Sequence, residues 1–326
     1  SHAKNPINDF SIASFCYATD FYSKLLSEGK LRNGLDIGLG GYIQLEENVE
    51  RLEYLSRVLE HAPSFAKILS AEDIERVIGE KPRCGGIHFL RGGWLDPRAV
   101  CHALLKHPLI LLKENCGTVS IEASKDNQWE AFDQNKTRLA EASVAVLATA
   151  YQMKSFEALN WLPLNIIRGQ TTHLPTNEVL SNLPIALCDR GYIPPKRRGI
   201  HCLGASYLPG DQCIDQRETE HTNNLQMAQN AVPNLNLVGP KHRLGGHVAF
   251  RCNSTDYLPI VGLAPDSNGF KHQYRELRHD RKRVLDRPAP VFDGLALLGG
   301  FGSRGLTATP FAAQILVDQL TGTPPT

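Results

Sequence analysis

The chain has almost no net charge: 35 Lys and Arg stand against 34 Asp and Glu, leaving +1 with histidine neutral. That balance excludes a surface coated in nucleic-acid-binding charge, although it leaves room for local basic patches. The eight cysteines include no Cys-x-x-Cys pair and no Cys/His cluster at zinc spacing, so no metal is expected. At 326 residues the chain is too long and too poor in cysteine for a disulfide scaffold. Free thiols in a reducing cytoplasm are the expected state. No run reaches about 18 apolar residues, so no membrane span is expected. The opening Ser1-His2-Ala3-Lys4-Asn5-Pro6 has no apolar signal core, which makes the cytoplasm the expected location. It also lacks an initiator methionine. There is no internal repeat and no low-complexity tract. What is present, 42% hydrophobic against 21% charged residues, suffices for a packed core and excludes wholesale disorder.

Hydrophobic periodicity predicts a helix through Phe10–Leu26 with Gly29 as its stop. Strands are expected at 41–46, 85–90, 109–112, 119–122 and 128–132. Helices are expected at 47–59, 71–78 and 98–105, the last opened by Pro97. The near-continuous apolar run Ala142–Ala150 reads as a central strand buried on both faces. From Leu162 onward, short segments broken by Gly, Pro and Asn suggest an antiparallel sheet, interrupted by a helix near 218–230. The chain ends in a strand at 295–298, the turn Gly299–Gly305 and a helix at 306–320. The mixture predicts an α/β part interleaved with an antiparallel β part.

Gly300-Phe-Gly302-Ser-Arg-Gly305 is a literal G-x-G-x-x-G between a strand and a helix, the local context of a dinucleotide fingerprint. The wider context fails. Only 21 residues follow Gly305, and Asp318, at roughly the right offset for a ribose contact, falls in a helical pattern rather than at the end of a second strand. The element therefore does not read as an ADP site. Two readings remain open from spacing alone. One is a plain glycine-rich turn. The other is a docking point for a phosphate, a carbonyl or a flavin edge on backbone N–H groups at a helix N-terminus. Gly38-Leu-Gly40-Gly41 reads as an ordinary turn.

Taken in order, several segments resemble the D-amino-acid-oxidase-type class of FAD enzymes. They are Gly92-Gly-Trp-Leu-Asp-Pro97, Val146–Ala150, Arg168-Gly-Gln170, Gly204-Ala-Ser-Tyr207, Phe250–Gly262, Ala289–Asp293 and Gly302–Leu306. Within that class they are most similar to the FAD-dependent oxidoreductase domain of bifunctional tRNA wobble-uridine modification proteins. The resemblance implies an α/β (α+β) fold: a Rossmann-like FAD-binding domain, incomplete at its N-terminus, interleaved with an antiparallel substrate domain. The expected division is 1–35, 85–155 and 290–326 for FAD, and 36–84 and 156–289 for substrate. The strand-loop-helix that holds the ADP half of FAD has no counterpart here, so the chain is expected to begin just after it and to retain FAD weakly. At Ala150 the family usually has glycine.

The resemblance further implies removal of the carboxymethyl group from carboxymethylaminomethyl uridine at the tRNA wobble position, giving an aminomethyl uridine and glyoxylate. Arg251 becomes the expected anchor of the substrate carboxylate, since a guanidinium fork binds both oxygens; its alternative is a structural pairing with Asp256. Tyr207 and Gln170 are further pocket candidates. Gly300, Gly302, Ser303, Arg304, Gly305, Leu306, Ala148 and Ala150 are the expected flavin contacts, with Arg304 toward the pyrimidine edge. Trp94 is expected to pack rather than stack, and His242 and His247 have no ligand spacing. Two basic runs are candidates for tRNA phosphate: Lys271, Arg275, Arg278, Arg281, Lys282, Arg283 and Arg287 against three acids, net +4, and Lys196, Arg197 and Arg198. The implied partners are the tRNA anticodon loop, molecular oxygen as electron acceptor and an upstream methyltransferase domain. The alternatives are a glycine, sarcosine or D-amino-acid oxidase, and a flavin-free inactive fragment.

Overall fold

The computed structural model describes residues 6–60, 63–126, 128–235, 237, 244–280 and 282–324. They fall into two compact units. The first comprises 1–18, 111–166 and 251–326, the second 19–110 and 167–250. Compactness thus groups 19–35 and 85–110 with the second unit and 156–166 and 251–289 with the first.

In the first unit, three strands order as Ile260–Pro265, Val291–Gly299 and Ala145–Leu147. Val291–Gly299 runs antiparallel to the first and parallel to the last, with Leu295 opposite Ala145 and Leu297 opposite Leu147. Behind them pack Leu147, Met153, Leu159, Leu164, Leu295 and Leu297. The C-terminal helix Gly305–Thr321 meets the opening helix Pro6–Ser27 through Phe311, whose ring centroid lies 5.9 Å from Phe10 and 5.5 Å from Tyr17. A separate three-stranded meander spans Ser120–Ala123, Trp129–Phe132 and Arg138–Ala142.

The second unit holds a five-stranded sheet ordered Tyr192–Ile193, Ala186–Cys188, Tyr42–Leu45, Gly86–Phe89 and Ala66–Leu69. It is mixed rather than purely antiparallel, because Ala186–Cys188 runs parallel to Tyr42–Leu45. A long strand, Leu164–Pro175, pairs with Ile200–Leu203, Leu208–Pro209 and Gly245–Ser254. The helix Glu218–Ala231 lines the core with Ala228 and Ala231 beside Ile43, Leu187 and Leu203. Helix starts follow local chemistry. Ser70 and Asp73 form a reciprocal capping box, and Asp96 caps a helix opened by Pro97, each satisfying backbone donors that the first turn leaves unpaired.

Two expectations are corrected. Residues 109–112 form no strand: Leu109 is 88% and Leu111 82% exposed, and no described strand supplies a ladder for their backbone. Of the run Ala142–Ala150, Ala142 ends the meander strand Arg138–Ala142 and the rest contributes only the short strand Ala145–Leu147, at a sheet edge. Val146 is 44% exposed there, because apolarity alone does not supply the second neighbouring strand that a central position requires. Trp94 packs as expected: a Cβ on Gly38 would stand 2.4 Å from its indole Nε1.

His201 is completely buried. Its Nδ1 lies 2.8 Å from the Pro194 carbonyl and its Nε2 3.1 Å from the Thr176 hydroxyl. This arrangement suits the neutral ring, with Nδ1–H donating and Nε2 accepting. Burial, with a smaller contribution from Lys196, holds its pKa below the ordinary value, and burial acts the same way on His88 and His173. The unfolded chain therefore takes up these protons first as pH falls. The stability that rests on them is present above the unfolded pKa of about 6.5 and is lost on acidification below it. The urea midpoint is expected to fall from about pH 7 to about pH 5, and less steeply in His201→Gln; an identical slope in the variant would exclude the ring as a source.

Candidate functional site

The strands Ala145–Leu147 and Val291–Gly299 are parallel, so the segments after them leave the same edge of the sheet. One is Ala148–Ala150, the other the turn Gly299–Gly305. Ligands of open α/β sheets bind at this carboxyl edge. Ala150 opens a 3₁₀ turn, Ala150–Ser155, whose fully buried Met153 reaches back to the glycine turn. A Cβ on Gly299 would come within 2.1 Å of the Met153 Cε. The two expected flavin segments are thus packed together through a glycine and a methionine.

Gly300 and Gly302 have φ of 77° and 56°, the left-handed region that favours glycine. Gly302–Arg304 forms a single 3₁₀ turn and leads into the helix Gly305–Thr321, whose N-cap residue Arg304 provides no side-chain cap. With no side-chain cap and no acidic residue in its first turn, the helix leaves its positive end uncompensated. Ser303, Arg304 and Leu306 are exposed, while Gly300 is buried. Ala150 has φ of 52°, so the methyl group sits in a backbone conformation that costs an L-residue about 1–2 kcal/mol.

Arg251 belongs to the strand Gly245–Ser254, whose Asn253 forms an antiparallel bridge with Phe301 inside the glycine turn. A Cβ on Gly302 would stand 2.3 Å from the Asn253 Oδ1. Arg251 precedes Asn253 by two residues and so shares its face of the strand. The structure brings Asn253 and the turn together, with Arg251 two residues earlier on the same strand. Asp256 has its own partners: its carboxylate accepts from the Leu258 N–H at 3.1 Å and the Ser254 hydroxyl at 2.9 Å, which hold its pKa below the usual value. Sequence reasoning does not single out Asn253, although its spacing from Arg251 within one motif is a signal.

In the second unit, Gln170 is fully buried. Its side-chain amide grips the backbone of Arg217 at both ends, Oε1 accepting from the Arg217 N–H at 2.8 Å and Nε2 donating to the Arg217 carbonyl at 2.9 Å. Arg168, also fully buried, pairs with Glu220 and donates to the Cys213 carbonyl at 2.7 Å. Ser206 donates to Glu220 and accepts from the Gln170 N–H. Gln170 thus acts on the 206–217 loop rather than facing open space. Tyr207, beside Ser206, is 47% exposed.

Of the basic candidates, Arg197 is committed internally: its guanidinium lies 2.6 Å from Asp96, and its Nε donates to the Leu35 carbonyl at 2.9 Å. Lys196 and Arg198 are exposed. Lys271, Arg275, Arg278 and Lys282 are also exposed, Arg283 pairs with Glu276 at 3.0 Å, and Arg281 and His242 lie outside the described residues. No group of three or more His, Cys, Asp or Glu suitable for a metal occurs among the described residues. Burial pushes the Cys188 thiol up to about 11 and also raises those of Cys84, Cys202 and Cys252, which disfavours thiolate nucleophiles. No helix among the described residues is long and apolar enough to cross a membrane.

The family model described as FAD dependent oxidoreductase matches residues 10–319. The chain is 30% identical over 321 residues to the tRNA 5-methylaminomethyl-2-thiouridine biosynthesis bifunctional protein MnmC of Saccharophagus degradans, covering 98% of this chain and 45% of that protein. It is 37% identical over 266 residues to the protein of the same name from Chromobacterium violaceum, covering 80% and 40%. The chain thus spans less than half the length of these curated relatives. Among solved structures, iminodiacetate oxidase from Chelativorans sp. BNC1 aligns with a TM-score of 0.75 at 20% identity, covering 100% of this chain and 83% of that one. Glycine oxidase from Geobacillus kaustophilus aligns with 0.74 at 15% identity, covering 99% and 81%. These likenesses establish the fold.

Two opposite substitutions check the turn. Gly302→Ala puts a Cβ against Asn253 at positive φ and is expected to lower stability by about 1–3 kcal/mol. Ala150→Gly relieves a left-handed alanine and is expected to raise it by up to about 1 kcal/mol. Equilibrium urea unfolding of both variants reads the two signs.

Proposed function

The chain belongs to the FAD-dependent oxidoreductase family, and we propose that within it the protein removes the carboxymethyl group from carboxymethylaminomethyl uridine at the tRNA wobble position. FAD is the cofactor of the family. The observation that carries the proposal is similarity along nearly the whole chain to relatives named for tRNA 5-methylaminomethyl-2-thiouridine biosynthesis. The glycine turn supports it. Backbone without Cβ at Gly300 and Gly302, the uncapped helix end and the cationic Arg304 suit the carbonyl-bearing edge of a flavin. Gly300–Leu306, with Ala148 and Ala150, would hold that edge.

The substrate arm is an N-substituted glycine. Bound FAD would supply the acceptor for the hydride, which carries both electrons of the arm's α-carbon–hydrogen bond, while the arm's nitrogen loses its proton to water. Arg251 binds the arm's carboxylate through its fork and thereby fixes where the α-carbon points. Oxidation leaves a carbon–nitrogen double bond in the arm, and addition of water releases glyoxylate and the aminomethyl uridine. Arg304 and the helix end favour added negative charge near the turn. Gln170 and Arg168 position the 206–217 loop that carries Tyr207. Lys196, Arg198 and the 271–287 segment supply charge for tRNA phosphate. Molecular oxygen is the proposed final acceptor, and a methyltransferase domain is the proposed partner within a longer protein.

The test supplies the purified chain with FAD and either tRNA bearing the carboxymethylaminomethyl group or sarcosine, and measures glyoxylate. Release from tRNA is expected, with kcat/KM lowered by about tenfold to a hundredfold in Arg251→Lys. Oxidation of sarcosine with tRNA left intact would instead establish a small-amine oxidase. A chain that gains no flavin absorbance near about 450 nm from added FAD would exclude catalysis by this chain alone.

A further inference from the structure

Residues 267–288 of the first unit make a tied-down excursion with an unusual surface. Asp266 caps the helix Ser267–Gln273 by accepting from the N–H groups of Asn268 and Gly269 at 3.0 and 2.9 Å. The Phe270 and Tyr274 rings stack with centroids 4.4 Å apart and planes inclined by 14°. The Arg287 guanidinium lies over the Tyr274 ring at 5.7 Å. Three further bonds close the base of the excursion. The Tyr274 hydroxyl donates to the Arg287 carbonyl, the Arg287 guanidinium donates to the Gln273 carbonyl, and Gln273 Nε2 donates to the Pro288 carbonyl at 3.1 Å.

This stack is not core. Phe270 remains 42% exposed, and no described residue of the 267–288 stretch is buried. Phe270 thus gains little from burial, while its half-buried partner Tyr274 is tied by its hydroxyl to the Arg287 carbonyl. The same segment carries the exposed cations Lys271, Arg275, Arg278 and Lys282, the first two next to Phe270 and Tyr274 in the chain. Of the acids, Glu276 is engaged by Arg283 and Asp280 accepts from the Lys282 N–H at 3.0 Å. A planar, preordered ring face amid positive charge matches the two parts of a single-stranded nucleic acid: a base that stacks and a phosphate that needs a cation. A peptide or lipid partner would use the charge but not the flat stack.

We propose that Phe270, Tyr274 and Arg287 form a stacking platform for an unpaired RNA base, with the neighbouring cations on its phosphates. The proposal rests on tRNA being the substrate, and it deepens that reading by naming the element that holds a loop nucleotide. It also separates two kinds of contact. The ring supplies affinity without releasing counterions, whereas the cations supply affinity that falls with salt.

The probe is a synthetic, unmodified anticodon stem-loop carrying 2-aminopurine at an unpaired loop position. It is titrated with the full chain, and binding is read by anisotropy and by base fluorescence. Phe270→Leu keeps an apolar side chain of similar bulk and removes the ring. It is expected to weaken binding by about fivefold to a hundredfold, with the quenching reduced and the salt slope unchanged. The pair Lys271→Ala with Arg275→Ala is expected to flatten the salt slope while retaining the quenching. Thermal melting of each variant checks that the fold is kept. Unchanged affinity and quenching in Phe270→Leu, with the native chain binding normally, would overturn the platform and leave the tRNA reading standing. No binding by the native chain at low salt would overturn both.

Discussion

The close approach of backbone to side chain at Gly299 and Gly302 governs the first unit. At Gly299 the space of a Cβ is taken by the Met153 methyl group, and at Gly302 by the Asn253 amide oxygen. These two contacts join three segments far apart in sequence: the 3₁₀ turn after Ala145–Leu147, the end of Gly245–Ser254, and the connection into the C-terminal helix. The segments of the candidate flavin edge, and the strand that carries Arg251, are joined by that packing. Side chains in interiors sit at crystal-like density, so a single methyl group is enough to displace such a junction.

The second unit depends on a different constraint, the cost of burying charge. Arg168 and Glu220 are both taken out of water and are tolerable only as a pair with every donor engaged. The Cys213 and Asp215 carbonyls and Gln170 Oε1 accept from Arg168, Ser206 donates to Glu220, and Gln170 in turn holds the Arg217 backbone. The result is a loop, 206–217, whose shape is dictated by a polar network instead of by apolar burial. A motif with the look of pocket lining is the scaffold of a loop, and the exposed residue it presents is Tyr207.

The helices at 49–59, 71–78 and 97–105, and the strand-turn-helix at the C-terminus, are legible in the sequence because periodicity and caps are local properties. The glycine turn is visible as a spacing. Asp318, at the offset of a ribose contact, lies inside the helix Gly305–Thr321 and not at the end of a second strand. Leu109–Leu112 and Val146 mislead because apolarity reports a preference for burial and not the presence of a neighbour. Arg197 reads as surface charge because its partner Asp96 lies about a hundred residues away.

Residue identity and short spacing carry the family resemblance, the element types and the chemistry on offer: an arginine for a carboxylate, glycines for close approach, a basic segment for phosphate. The sequence needs no fold to declare these. Which of the groups meet is decided by tertiary structure. It puts Asn253, on the strand that carries Arg251, against Phe301. It commits Gln170 and Arg197 to internal bonds and leaves Phe270 stacked and exposed among cations. Those outcomes depend on contacts between segments remote in the chain, and on which polar groups must be paired once water is excluded.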